Sequence, residues 1–163
     1  MLAVSNTSPL SNLAIIERLD LLREQLGEVI VPPGVWAELG RLRHAKARTS
    51  LETAMQAGWI RVVPLAGRVP DDLAICLDSG EAEALALALE AKAGLVLLDE
   101  SAARLKAQQL GVSYTGVLGV LRKARTAGRI ASLKSEILHL RTEAHFFVAP
   151  SLEKRLLASV GEV

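Results

Sequence analysis

Four oxygen-bearing side chains stand where strands give way to helices: Asn6, Glu38, Glu81 and Asp99. Three are carboxylates and the fourth is an amide that offers an oxygen without charge. Acids gathered in one place repel one another unless a cation lies between them. Magnesium or manganese, a hard divalent ion bound by one or two carboxylates together with water and phosphate oxygens, is the natural partner. An ion of that kind activates water and stabilises an in-line phosphoryl displacement. Plainer roles fit each residue too: Asn6 as a turn and helix cap, Glu38 as an exposed helix residue, Glu81 and Glu83 as dipole-complementing acids, Asp99 as a cap.

What could bring the four together is the stretch Ser79 to Ser101, SGEAEALALALEAKAGLVLLDES. Ser79 reads as an N-cap, with Glu81 and Glu83 in the first turn. Alanine and leucine carry the helix to about Ala93, and Gly94 stops it. Leu95 to Leu98 is a continuous apolar run, as in parallel strands covered on both faces. In such a unit the helix starts near the carboxyl edge of the sheet, where the strand also ends. Glu81 and Asp99, eighteen residues apart, can therefore meet at the rim where open α/β sheets place ligands.

The remaining elements alternate in the same way. A first strand ends at Asn6, followed by Thr7-Ser8-Pro9 and one or two helices through Leu22. Val29-Ile30-Val31 forms a second strand closed by Pro32-Pro33, and the next helix carries Val35, Trp36, Glu38 and Leu39. A helix over Ala45–Ala57 precedes a strand at Ile60–Pro64, and Ala66–Asp78 reads as a loop. Beyond Asp99 the expectation is a helix over Ala102–Leu110, a fifth strand at Val112–Tyr114, and helices at Gly116–Ala127, Ser132–Ala144 and Ser151–Val160. Glycines at 27, 58, 111 and 128 punctuate these helices. The alternation defines an α/β protein with a parallel sheet of about five strands.

At 163 residues, half of them apolar, the chain suits a single domain over 1–163 with a substantial core. The helices from about 132 onward either pack on it or serve a partner. No apolar run is long enough to span a membrane and no leader opens the sequence, so a soluble, cytoplasmic protein is expected. Cys76 stands alone, and His44, His139 and His145 lack zinc-ligand spacing.

A net charge of +1 gives no overall pull toward nucleic acid, so that case rests on two local clusters. One holds Arg41, Arg43, His44, Lys46 and Arg48; the other holds Arg122, Lys123, Arg125 and Arg129. Both also suit a solvated helix face. Aromatic residues make up only 3%, which argues against an extended base-stacking platform. Neither G-x-G-x-x-G nor G-x-x-x-x-G-K-[ST] occurs, which disfavours a nucleotide-binding domain.

The order SNTSPL, VPPGVWAEL, GEAEALALALEAKAGLVLLDE and LGVSYTGVLGVLRKARTAGRI resembles the PIN-domain proteins, in particular the prokaryotic VapC-type toxins, from Ala3 to about Ala144. That resemblance implies a PIN-like three-layer α/β/α fold and a metal-dependent endoribonuclease cleaving single-stranded RNA to 5′-phosphate and 3′-hydroxyl ends. It places the family's acids at Asn6, Glu38, Glu81 and Asp99, with Glu38, Glu81 and Asp99 holding Mg2+ or Mn2+. It further implies RNA contacts from Thr7, Arg41, Arg43, Lys46, Arg122 and Lys123, an antitoxin partner and a homodimer. The departure is Asn6, where the family usually has aspartate. An uncharged ligand weakens both metal affinity and water activation. The alternative reading is thus a catalytically impaired RNA- or protein-binding module.

Overall fold

A computed structural model describes residues 1–163. Five parallel strands form one sheet: β1 (Leu2–Ser5), β2 (Glu28–Val31), β3 (Ile60–Val62), β4 (Leu95–Leu97) and β5 (Tyr114–Thr115), in the spatial order β3-β2-β1-β4-β5. The helices are α1 (Thr7–Ile15), α2 (Asp20–Leu26), α3 (Pro33–Gly40), α4 (Ala45–Gln56), α5 (Asp71–Cys76), α6 (Ser79–Glu90), α7 (Ser101–Gln109), α8 (Val117–Thr126), α9 (Leu133–Glu143) and α10 (Pro150–Ser159).

Strand periodicity sends alternate residues into two separate cores, because successive side chains leave a strand on opposite faces. Ala3, Val29, Val31, Ile60 and Leu97 join the larger one, with residues from α1 to α4 and α8 to α10. Val4, Ile30, Val96 and Leu98 join the smaller, with α5, α6 and α7. The result is the expected helix, sheet, helix layering. Leu133, Ile137, Leu140 and Leu157 bring the two C-terminal helices onto the larger core. Helix α6 is apolar nearly all round and is buried accordingly, with Ala84, Leu85 and Leu87 at most 1% exposed.

Central strand β1 pairs Ala3, Val4 and Ser5 with Leu95, Val96 and Leu97 of β4, and on its other side pairs Leu2, Ala3 and Val4 with Glu28, Val29 and Ile30 of β2. The helices after β1 and β4 then leave toward opposite cores, α1 to the larger and α7 to the smaller. The gap between those two strand ends is the topological switch of an open α/β sheet. Asn6 and Asp99 flank it.

Local departures from the expected pattern have physical causes. Residues 66–78 are not wholly loop: Asp71–Cys76 is helix α5, with two acids in its first turn and Leu73 anchoring it in the core. Asp78 rather than Ser79 caps α6. That helix ends at Glu90, and the left-handed residue after it is Lys92 (φ 51°) rather than Gly94. Gly94 itself lies beside the exposed Met1 side chain, its N–H donating to the Leu2 carbonyl. The fifth strand lies at Tyr114–Thr115, shifted from Val112–Tyr114, because Val96 and Leu97 take Tyr114 and Thr115 as partners. Glycines 27, 58, 111 and 128 all have positive φ, as expected of helix ends.

Candidate active site

The turn Asn6-Thr7-Ser8 organises the carboxyl edge of the sheet. Asn6 follows β1, its N–H donating to the Leu97 carbonyl of β4 at 3.1 Å, and it opens α1 as the N-cap residue. Its side chain makes no capping hydrogen bond, although the residue is only 6% exposed. The next two hydroxyls each hold an acid from a different element. Thr7 Oγ1 donates to Glu38 Oε2 at 3.1 Å, and Ser8 Oγ donates to Asp99 Oδ2 at 2.9 Å. Asp99 is fixed a second time through Oδ1, which accepts the Val117 N–H at 2.9 Å and so ties β4 to the start of α8.

Gly80, in the first turn of α6, marks where the first group converges. A Cβ there would lie 2.8 Å from Glu38 Oε1, 3.1 Å from Asn6 Oδ1 and 3.6 Å from Asp78 Oδ1. Three oxygens from three parts of the chain border one methyl-sized space that glycine leaves open. Beside it, Asp78 and Glu81 form a reciprocal capping box. The Glu81 N–H donates to Asp78 Oδ1 at 2.8 Å, and the Asp78 N–H donates to Glu81 Oε1 at 3.3 Å. Glu81 is 5% exposed, and its other carboxyl oxygen, Oε2, is buried without a partner. Burial first, and then the neighbouring Asp78 charge, push the Glu81 carboxyl up to about 7.

Asn6 and Glu38 therefore meet at the Gly80 space, with Glu81 in the same helical turn. Asp99 is attached to the same α1 turn through Ser8. No three His, Cys, Asp or Glu side chains stand at ligating separation from one point in this conformation. The donor set nevertheless suits a hard divalent cation. It consists of oxygens alone, it is predominantly anionic, and it includes one buried carboxylate oxygen whose lone pairs are unsatisfied. Glu83, the competing acid, turns away toward α3, its carboxylate oxygens 2.8 and 2.9 Å from where a Gly34 Cβ would be.

The basic clusters divide into engaged and free members. Lys46 pairs with Glu17, Arg48 Nη1 donates to the Leu42 carbonyl, and His44 caps α4 by accepting the Ala47 N–H. Arg122 Nε donates to Ser159, Arg125 pairs with Glu162, and Arg129 pairs with Glu24. Arg41, Arg43 and Lys123 remain exposed without an ion pair. Asp78, Ser8 and Gly80 are site residues that sequence reasoning does not single out. The D-x-x-E spacing of Asp78 and Glu81 is the capping-box signature that could have found the first.

The fold is thus a five-stranded parallel α/β sheet that carries acids and an amide along its carboxyl edge. The chain belongs to the PIN-domain family, whose model matches residues 2–162. Comparison with curated proteins finds no match. Among solved structures the chain is similar to a PilT N-terminus domain protein from the hyperthermophilic archaeon Sulfolobus solfataricus P2. The two share 20% identity and a TM-score of 0.53, over 76% of this chain and 93% of that one. At that identity the likeness concerns the fold.

Proposed function

We propose that the protein is a magnesium- or manganese-dependent endoribonuclease that hydrolyses phosphodiester bonds of single-stranded RNA. The observation that carries this reading is the convergence of Asn6 Oδ1 and Glu38 Oε1 on the Gly80 space, in the same helical turn as Glu81 with its unsatisfied Oε2. Glu38, Glu81 and Asp99 would hold the ion, with Asn6 contributing a neutral oxygen. When bound, such an ion supplies a Lewis acid for the phosphoryl group and a water of lowered pKa. Loading must draw the carboxylates closer than they now stand. Thr7 and Ser8 keep Glu38 and Asp99 oriented meanwhile. Glu81 must surrender its proton, which its raised pKa makes a neutral-pH event.

The resemblance to VapC-type toxins supports a role as the toxin of a toxin–antitoxin pair, acting as a homodimer. Arg41, Arg43 and Lys123 are the members of the basic clusters left free for RNA phosphates. The test is cleavage of a labelled single-stranded RNA at millimolar manganese by the wild-type protein and by Asp99→Asn. Cleavage by the first and none by the second is expected. Intact RNA with the wild type would remove the reading.

A second reading is favoured by Asn6 itself. With an amide where the family usually has an acid, the domain would bind RNA or a protein while cleaving poorly. Asn6→Asp then raises cleavage strongly at nearly constant RNA affinity. Equal activity of the two proteins would argue against it.

A further inference from the structure

The rim that gathers Glu38, Asp78, Glu81 and Asp99 repels a polyanion unless a fixed cation offsets them. Arg104, near the start of α7, is held there by three separate features. Its Nε donates to the Leu98 carbonyl at the end of β4, at 2.9 Å. Its guanidinium carbon lies 5.8 Å from the centroid of the Tyr114 ring on β5, within cation–π range. The third feature is a missing atom. A Cβ at Gly116 would overlap Arg104 Nη2, and would stand 2.6 Å from Asp99 Oδ1 and 2.9 Å from the Leu98 carbonyl oxygen.

The absence of a Cβ at Gly116 thus lets the guanidinium pack directly against the backbone there, with Asp99 beside it. The two charges do not close on each other as an ion pair, and Arg104 pairs with no other carboxylate. Only Nε is used by the protein, so the Nη donors have no protein acceptor. A planar donor fork, immobilised by its neighbours and left unsatisfied, is suited to phosphate.

We propose that Arg104 is a substrate-binding residue of the site, donating through its Nη groups to an RNA phosphodiester beside Asp99. The assignment rests on the ribonuclease reading above. Arg125, Arg129 and Lys46 are ion-paired elsewhere and Arg122 is tied by its Nε to Ser159 on α10, which leaves Arg104 as the anchored cation next to a candidate catalytic acid. Gly116 and Tyr114 act by keeping it in place.

The test separates binding from chemistry. Affinity for a single-stranded RNA oligonucleotide is measured in EDTA by fluorescence anisotropy over a range of salt, so that cleavage is not needed. Arg104→Ala is expected to weaken binding by about tenfold or more and to lower the slope of log affinity against log salt by about 0.7, one phosphate contact on a single strand. Arg104→Lys, which keeps the charge but not the fork, should retain the slope with a smaller loss. With manganese, Arg104→Ala should raise KM more than it lowers kcat. Unchanged affinity and slope in both variants, with wild-type melting temperatures, would overturn the proposal while leaving wild-type cleavage intact. A wild type that binds RNA with the expected Arg104 dependence but never cleaves would remove the nuclease reading and retain the phosphate contact. No RNA binding by the wild type in EDTA together with no cleavage in manganese would remove both. Should Arg104→Ala melt early, Arg104→Gln, which removes the charge but keeps a long polar side chain, decides by the same loss of slope.

Discussion

Glu81 is the residue whose replacement should be most informative. Its carboxyl is buried beside Asp78 and titrates at about 7, against 4.5 for the unperturbed group. Between those values the folded protein holds a proton that the unfolded chain has already released. Stability due to this group is therefore present at low pH and is lost as pH rises from about 4.5 through 7, the reverse of a salt-bridged acid. Each tenfold change in proton affinity is worth ~1.4 kcal/mol, and after relaxation and water entry a penalty of about 2 kcal/mol should be felt at pH 8. Glu81→Gln removes it: the capping bond from the residue 81 N–H to Asp78 is a backbone contact and survives. The assay is urea unfolding of both proteins at several values from pH 5 to 8. The variant should become the more stable one as pH rises, by about 2 kcal/mol at pH 8. Manganese should reverse the order, stabilising the wild type increasingly above pH 7 and the variant little, because binding to a carboxylate expels its proton. Parallel stability curves without metal, or equal manganese effects at pH 8, would refute the argument.

Two further substitutions probe the scaffold. Gly80→Ala gains up to ~1 kcal/mol of helix propensity but puts a methyl 2.8 Å from Glu38 Oε1 and 3.1 Å from Asn6 Oδ1; calorimetry with manganese should show binding weakened at least about tenfold, with the melting temperature near wild type. Glu162 accepts from the Leu133 and Lys134 N–H groups, from Ser132 Oγ and from Arg125 Nε. Burial works against its charge, yet those bonds hold its carboxyl below the ordinary range. Glu162→Ala should cost roughly 1–3 kcal/mol in urea unfolding, leaving RNA affinity unchanged.

The layering and most of the elements were legible because their signals are local: Val29-Ile30-Val31 and Leu95 to Leu98 are too uniformly apolar for anything but covered strands. Asn6, Glu81 and Asp99 lie beside helix starts that the sequence marks, whereas Glu38 lies in the last turn of α3 and only packing brings it to Thr7. Helix α5 escaped because six residues with one buried leucine give no period to detect. The fate of the arginines was illegible for a different reason. Ser159, Glu162 and Glu24 are remote in sequence from Arg122, Arg125 and Arg129, and only the packed structure brings them together. Arg104 reads as an ordinary helix surface residue until Gly116 and Tyr114 arrive from the next strand.

The middle strand of the sheet is made first and finished late. β1 leaves the ribosome ahead of the other strands, yet one of its two edges waits for β4, and Asp99 waits further still for Val117 to complete its hydrogen bonds. Closing so long a loop is entropically costly and slow, so it comes late in folding. A nascent chain that has not yet reached Val117 therefore has no assembled rim, and whatever chemistry the domain performs begins only after that point has been synthesised.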